Sequence, residues 1–180
     1  MPNSRNKLLA IDPGTREMGF ATFENKDLTD YGVKAISQGR TTKELFSNVE
    51  RIVTNLIKEK RPTIMVLEKN DFSQITQNAR LTLAMARMKA VAKRQGIPII
   101  EYHPRTVRKV VCKNGNAIKT EVARTVTIIY PEMKAYLKSN RQWKERYFQN
   151  IFDAIACGLT HIEIRNRRYT DSKIGNDKQE

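Results

Sequence analysis

Two short apolar runs in this chain each stop at a carboxylate. Leu8-Leu9-Ala10-Ile11 ends in Asp12, and Ile64-Met65-Val66-Leu67 ends in Glu68. Runs of this length read as buried strands. A buried strand avoids a terminal carboxylate unless that group caps a turn or does chemistry. After Asp12 the chain turns on Pro13-Gly14 and resumes as a second strand over residues 19–24, with a third expected over 33–37. These three make an antiparallel meander. Thr41 or Thr42 caps a helix whose stripe is Leu45, Val49, Ile52, Val53 and Leu56, and Pro62 ends it. Strand 63–68 follows. Then come a helix over 73–95, a strand over 97–102, a basic helical turn over 105–111, and helices over 119–129 and 141–164. The order predicts an α/β layer fold with a mixed five-stranded sheet and helices on both faces. Residues 1–165 form one domain; 166–180 are polar and are expected to be a flexible tail.

Charge narrows the partner class. The 33 Lys and Arg against 19 Asp and Glu give a net charge of +14, spread through most of the chain. Such a surface attracts polyanions and gains from counterion release on a phosphate backbone. No apolar run is long enough for a membrane span, and no leader pattern opens the chain. Two widely separated cysteines, Cys112 and Cys157, argue against a disulfide framework or a zinc site. The expected location is the cytoplasm, associated with the nucleoid, or an organelle or infected-cell cytoplasm.

Three carboxylates stand out. Asp12 and Glu68 sit at strand C-termini, the edge where ligands bind in open α/β sheets. On parallel neighbours about 4.8 Å apart they could share a metal. Asp153, among small and apolar neighbours in the last helix, faces the body of the domain. Alone, Asp12 is equally a turn cap and Glu68 equally a partner for Lys69. Together, three converging carboxylates repel unless a cation stands between them, and their hard oxygens suit magnesium or manganese.

Four segments carry a family resemblance. "AIDPGTREMGFATF", "MVLEK", "YHPRTVRKVVCKNGNAIKTEVARTV" and "NIFDAIACGLTH" occur in order from about Lys7 to His161. They resemble the motifs of RuvC-type Holliday junction resolvases, members of the ribonuclease H-like superfamily. The resemblance implies a ribonuclease H-like fold and a homodimer that binds four-way junction DNA. It also implies paired nicking of opposing strands in recombination and repair, with two Mg2+ ions per active site and Mn2+ as a substitute. A branch-migration motor is a candidate partner.

Residue by residue, Asp12, Glu68 and Asp153 match the family's metal-binding carboxylates, and Gly14 lets the chain turn beside a phosphate. Asn150 stands where the family has Asp or His; its oxygen can ligate a metal but carries no charge. Lys119 matches a lysine able to neutralise the scissile phosphate. Arg108 replaces a family Lys, Lys109 follows it, and Lys113 replaces a Gly. These three, with Arg105 and Lys119, are the expected DNA contacts. Phe72 lies near the family's base-stacking aromatic and is read either so or as ordinary burial. His161 is read as a core or helix-end histidine. The stripe Ile75, Leu81, Met85, Met88 and Val91 fits a dimer interface or the subunit's own core. Two alternatives stay open: a junction-binding protein that has lost cleavage through Asn150, and a ribonuclease H-like nuclease acting on RNA.

Overall fold

The computed structural model describes residues 6–36, 41–69, 79–137 and 142–176, the last helix by backbone alone at 142–146 and 171–176. Strands β1 (Lys7–Asp12), β2 (Glu17–Glu24) and β3 (Asp27–Ala35) precede helix α1 (Thr42–Lys60). Strand β4 (Ile64–Glu68), helix α2 (Ala79–Arg94) and strand β5 (Ile99–Tyr102) follow. Helices α3 (Pro104–Cys112) and α4 (Lys119–Ile129), a 3-10 turn (Pro131–Tyr136) and helix α5 (Gln142–Asn176) complete the chain.

The five strands form one sheet in the order β3-β2-β1-β4-β5. The β1–β2 and β2–β3 pairs are antiparallel; β1–β4 and β4–β5 are parallel. The sheet is mixed and five-stranded, as expected, and period-2 alternation divides its residues between two cores. Leu9, Ile11, Met18, Phe20, Met65 and Leu67 pack with the α1 and α2 side. Leu8, Ala10, Ala21, Phe23 and Val66 pack with α3, α4 and α5. Helices therefore cover both faces. The α1 stripe is buried as its spacing predicts, and Thr41 and Glu44 form a reciprocal capping box.

Boundaries differ where polar residues conceal structure. Strand β2 starts at Glu17, not at residue 19. Strand β3 starts at Asp27, not at residue 33, after a turn with Asn25 at φ 60°. It is an edge strand with one wet side, so "DLTDYG" resembles a loop; a Thr22–Thr29 hydroxyl pair at 3.0 Å helps hold it. Helix α5 runs to Asn176, beyond the expected end at residue 164 and through most of the expected tail. Residues 165–174 contain neither Gly nor Pro, so nothing stops the helix, although its polar side chains resemble a tail.

Met85, Met88 and Val91 are buried within this one chain, and Met88 and Val91 pack in the α1–α2 core. The chain's own core thus accounts for Met88 and Val91, while Leu81 and Met85 line a cleft. Ile75 lies outside the described residues.

Candidate active site

Alternation places the site. Leu8 and Ala10 face α5, so Asp12, two residues on, faces it too. Val66 faces α5, and so does Glu68. In the parallel register Leu8 lies opposite Ile64 and Ala10 opposite Val66. Extending that ladder by two residues sets Asp12 beside Glu68. Gly19 pairs with Asp12 on the other side. A Cβ at Gly19 would lie 2.0 Å from the Asn150 carbonyl oxygen, so the missing side chain is what admits α5 against β2. Gly14 serves the turn after Asp12: a Cβ there would meet the Glu17 carbonyl oxygen at 1.9 Å.

The three carboxylates lie near enough to act on one another electrostatically. Burial, then Asp153 and Glu68, push the Asp12 carboxyl well above its usual range, with Lys119 opposing. Burial and then Asp153 push the Glu68 carboxyl up to about 7, against Lys119 and Arg108. Among the described residues neither Asp12 nor Glu68 has a side-chain hydrogen bond or ion-pair partner. Asp153 is tied on both oxygens: Lys119 Nζ lies 3.0 Å from Oδ2, and Gln149 Nε2 donates to Oδ1 at 2.8 Å. Partial burial works against the Lys119 charge, but Asp153, then Asp12 and Glu68, outweigh it and hold the ammonium protonated. Cys157, one turn beyond Asp153, is fully buried; burial, then Glu68, Asp12 and Asp153, keep its thiol protonated.

Among the described residues no three His, Cys, Asp or Glu side chains stand close enough to form a ready cation-binding group. The donor chemistry still fits a hard cation. Two carboxylates with no side-chain partner among the described residues lie close together, and the third is neutralised by a lysine that divalent charge can displace.

An open cleft of about 670 Å³ lies over the pair, its lining including Asp12, Glu68, His103, Arg105, Arg108 and Lys119. Arg105 and Arg108 come from α3, which Pro104 starts and His103 caps by accepting from the Arg105 N–H at 3.2 Å. Two expected contacts do not line this cleft. Lys109 is exposed on α3, and Lys113 folds back to donate to the Val110 carbonyl at 3.1 Å. Lys113 has φ 59°, a left-handed conformation that suits the glycine expected at that place. Phe72 lies outside the described residues. His161 is buried and hydrogen-bonded to the Tyr102 hydroxyl at 3.0 Å, a core histidine far along the helix from Asp153.

Two polar neighbours escape the sequence reading. Gln149 sits one helical turn before Asp153, a spacing that could have revealed it. Glu17 accepts from Asn150 Nδ2 at 3.4 Å. It is hidden because a strand beginning at residue 19 leaves Glu17 in a loop.

The family model "Crossover junction endodeoxyribonuclease RuvC" matches residues 8–161. A protein of that name from Akkermansia muciniphila is 30% identical over 162 residues, 87% of this chain and 90% of that protein. Thermus thermophilus RuvC superposes with a TM-score of 0.71 at 24% identity, covering 89% of this chain and 96% of that one. The same protein in complex with Holliday junction substrate gives 0.70 at 22% identity, covering 89% and 95%. The fold is ribonuclease H-like, and the chain belongs to the RuvC family of crossover junction endodeoxyribonucleases.

Proposed function

We propose that this chain is a structure-selective endodeoxyribonuclease that binds four-way DNA junctions as a homodimer and hydrolyses phosphodiester bonds in two opposing strands. The observation that carries this reading is a cleft that brings Asp12, Glu68 and Lys119 together under Arg105 and Arg108, with Asp153 paired to Lys119. The Thermus thermophilus protein of similar fold is described with a Holliday junction, which supports the choice of substrate.

Asp12, Glu68, Asp153 and the Asn150 amide oxygen would hold Mg2+, with Mn2+ as a substitute. Bound there, divalent metal supplies a polarised water and positive charge for the leaving oxygen. The remaining work falls to the protein. Gln149 fixes one oxygen of Asp153. Lys119, tethered at the cleft by Asp153, offers its ammonium to the non-bridging oxygens of a seated phosphate. Arg105 and Arg108 grip phosphates along the strand through planar guanidinium groups. A two-fold junction is matched by a two-fold protein, which places one such cleft on each of two opposing strands.

A second reading rests on Asn150: a junction binder that does not cut. One assay separates these readings. The chain, and its Asp153→Asn variant, are incubated with a labelled four-way junction, a linear duplex of equal length, and a structured RNA, with magnesium. Junction-selective nicking lost in Asp153→Asn supports the proposal. Tight junction binding without nicking favours the binder, and preference for RNA overturns the choice of substrate.

A further inference from the structure

Asn150 can offer the site either its carbonyl oxygen or its NH2 group. Asn150 lies one turn before Asp153 on α5, and toward a carboxylate the easy orientation is the unproductive one. There the NH2 turns to a carboxylate as donor, and no lone pair is left for a cation. Something else must take the NH2. Glu17 does so: its Oε2 accepts from Asn150 Nδ2 at 3.4 Å. An ionised carboxylate only accepts, so it selects the nitrogen side of the carboxamide. The planar amide then sends Oδ1 away from Glu17. The contact is built into the backbone, because Glu17 and Gly19 share the α5-facing side of β2. Gly19, lacking a Cβ, lets the Asn150 turn of α5 lie directly on the strand.

We propose that Glu17 is a positioning residue of the nuclease centre: it binds the NH2 of Asn150 and so keeps Oδ1 free to ligate a divalent cation. This rests on the nuclease reading above and deepens it. A consequence follows for residue 150 itself. Placing a carboxylate there without changing Glu17 would set two negative groups at hydrogen-bond distance. Asn150→Asp alone is therefore not a simple gain, and the value of Glu17 depends on what occupies position 150.

The test uses the full chain, Glu17→Ala, Asn150→Asp and the double variant. Mn2+ affinity is read from free-ion EPR, and junction binding in EDTA is measured alongside. Glu17→Ala is expected to weaken Mn2+ binding about tenfold, the loss typical when a partner of a metal ligand is removed. In the Asn150→Asp background the same substitution is expected to tighten Mn2+ binding. Glu17→Gln, whose amide oxygen still accepts from Asn150, retains affinity to within about threefold. Glu17→Met, which fills the space without an equivalent acceptor, behaves as Glu17→Ala and replaces it should the alanine variant misfold. Loss of the same sign in both backgrounds, or no change with Asn150 present, overturns the proposal. Failure of every form to prefer a junction over linear duplex would overturn the junction-nuclease reading instead, while the sign pattern in Mn2+ affinity still decides the role of Glu17.

Discussion

Asp12 and Glu68 are costly residues in the absence of a cation. Burial raises both carboxyls above their ordinary range, helped by Asp153 at each and by Glu68 at Asp12. For Glu68, raised to about 7 from 4.5, the folded chain binds more protons than the unfolded chain between those values. Metal-free stability should therefore fall as pH rises from about 4.5 to about 7. Glu68→Gln removes the penalty. Without divalent metal it should be more stable than the parent at pH 8, by on the order of 1–3 kcal/mol, and nick junctions at least about a thousandfold more slowly. Melting curves in EDTA and single-turnover nicking in magnesium read the two effects. Lys119→Met should slow nicking on the order of a hundredfold while leaving junction affinity within about threefold, since the lysine acts on charge at one phosphate.

At the scale of elements, the site depends on how closely α5 approaches β2. Gly19→Ala puts a methyl where the Asn150 carbonyl oxygen stands. The helix must shift, and the expected cost is about 1–3 kcal/mol, with Asn150 and Asp153 displaced together. A urea titration measures the stability, and Mn2+ affinity reports the displacement. The same packing decides what could be read from the sequence. Asp12 and Glu68 were legible because an apolar run ending in a carboxylate is a strand-end pattern, and Asp153 because apolar neighbours flank it on a helix. Gln149 was legible only as a residue one turn before Asp153, and Glu17 was not legible at all. Their importance comes from touching Asp153 and Asn150, and the Glu17 contact spans 133 residues of sequence. The continuation of α5 to Asn176 was masked because a polar helix and a polar tail share a composition.

At the scale of the whole molecule, positive charge is abundant but only part of it borders the cleft. Basic composition made nucleic acid the expected partner. It did not tell Arg105 and Arg108, which line the cleft, from Lys109 and Lys113, which do not. The distinction needs the direction of each side chain on α3 and at its C-cap. Junction affinity should fall steeply with salt. Arg105→Ala and Arg108→Ala should each lower the slope of log affinity against log salt by about 1, and Lys113→Ala should leave it unchanged. Filter binding at several salt concentrations, in EDTA, reads this.

The most direct measurement is cleavage of a supercoiled plasmid that extrudes a cruciform, with the chain and magnesium, followed through the first turnover. A dimer that cuts opposing strands within one complex yields linear plasmid as the early product, cut at the cruciform, and Asp12→Asn yields none. Open circles accumulating without linear product, or cuts scattered outside the cruciform, would contradict a paired, junction-selective nuclease.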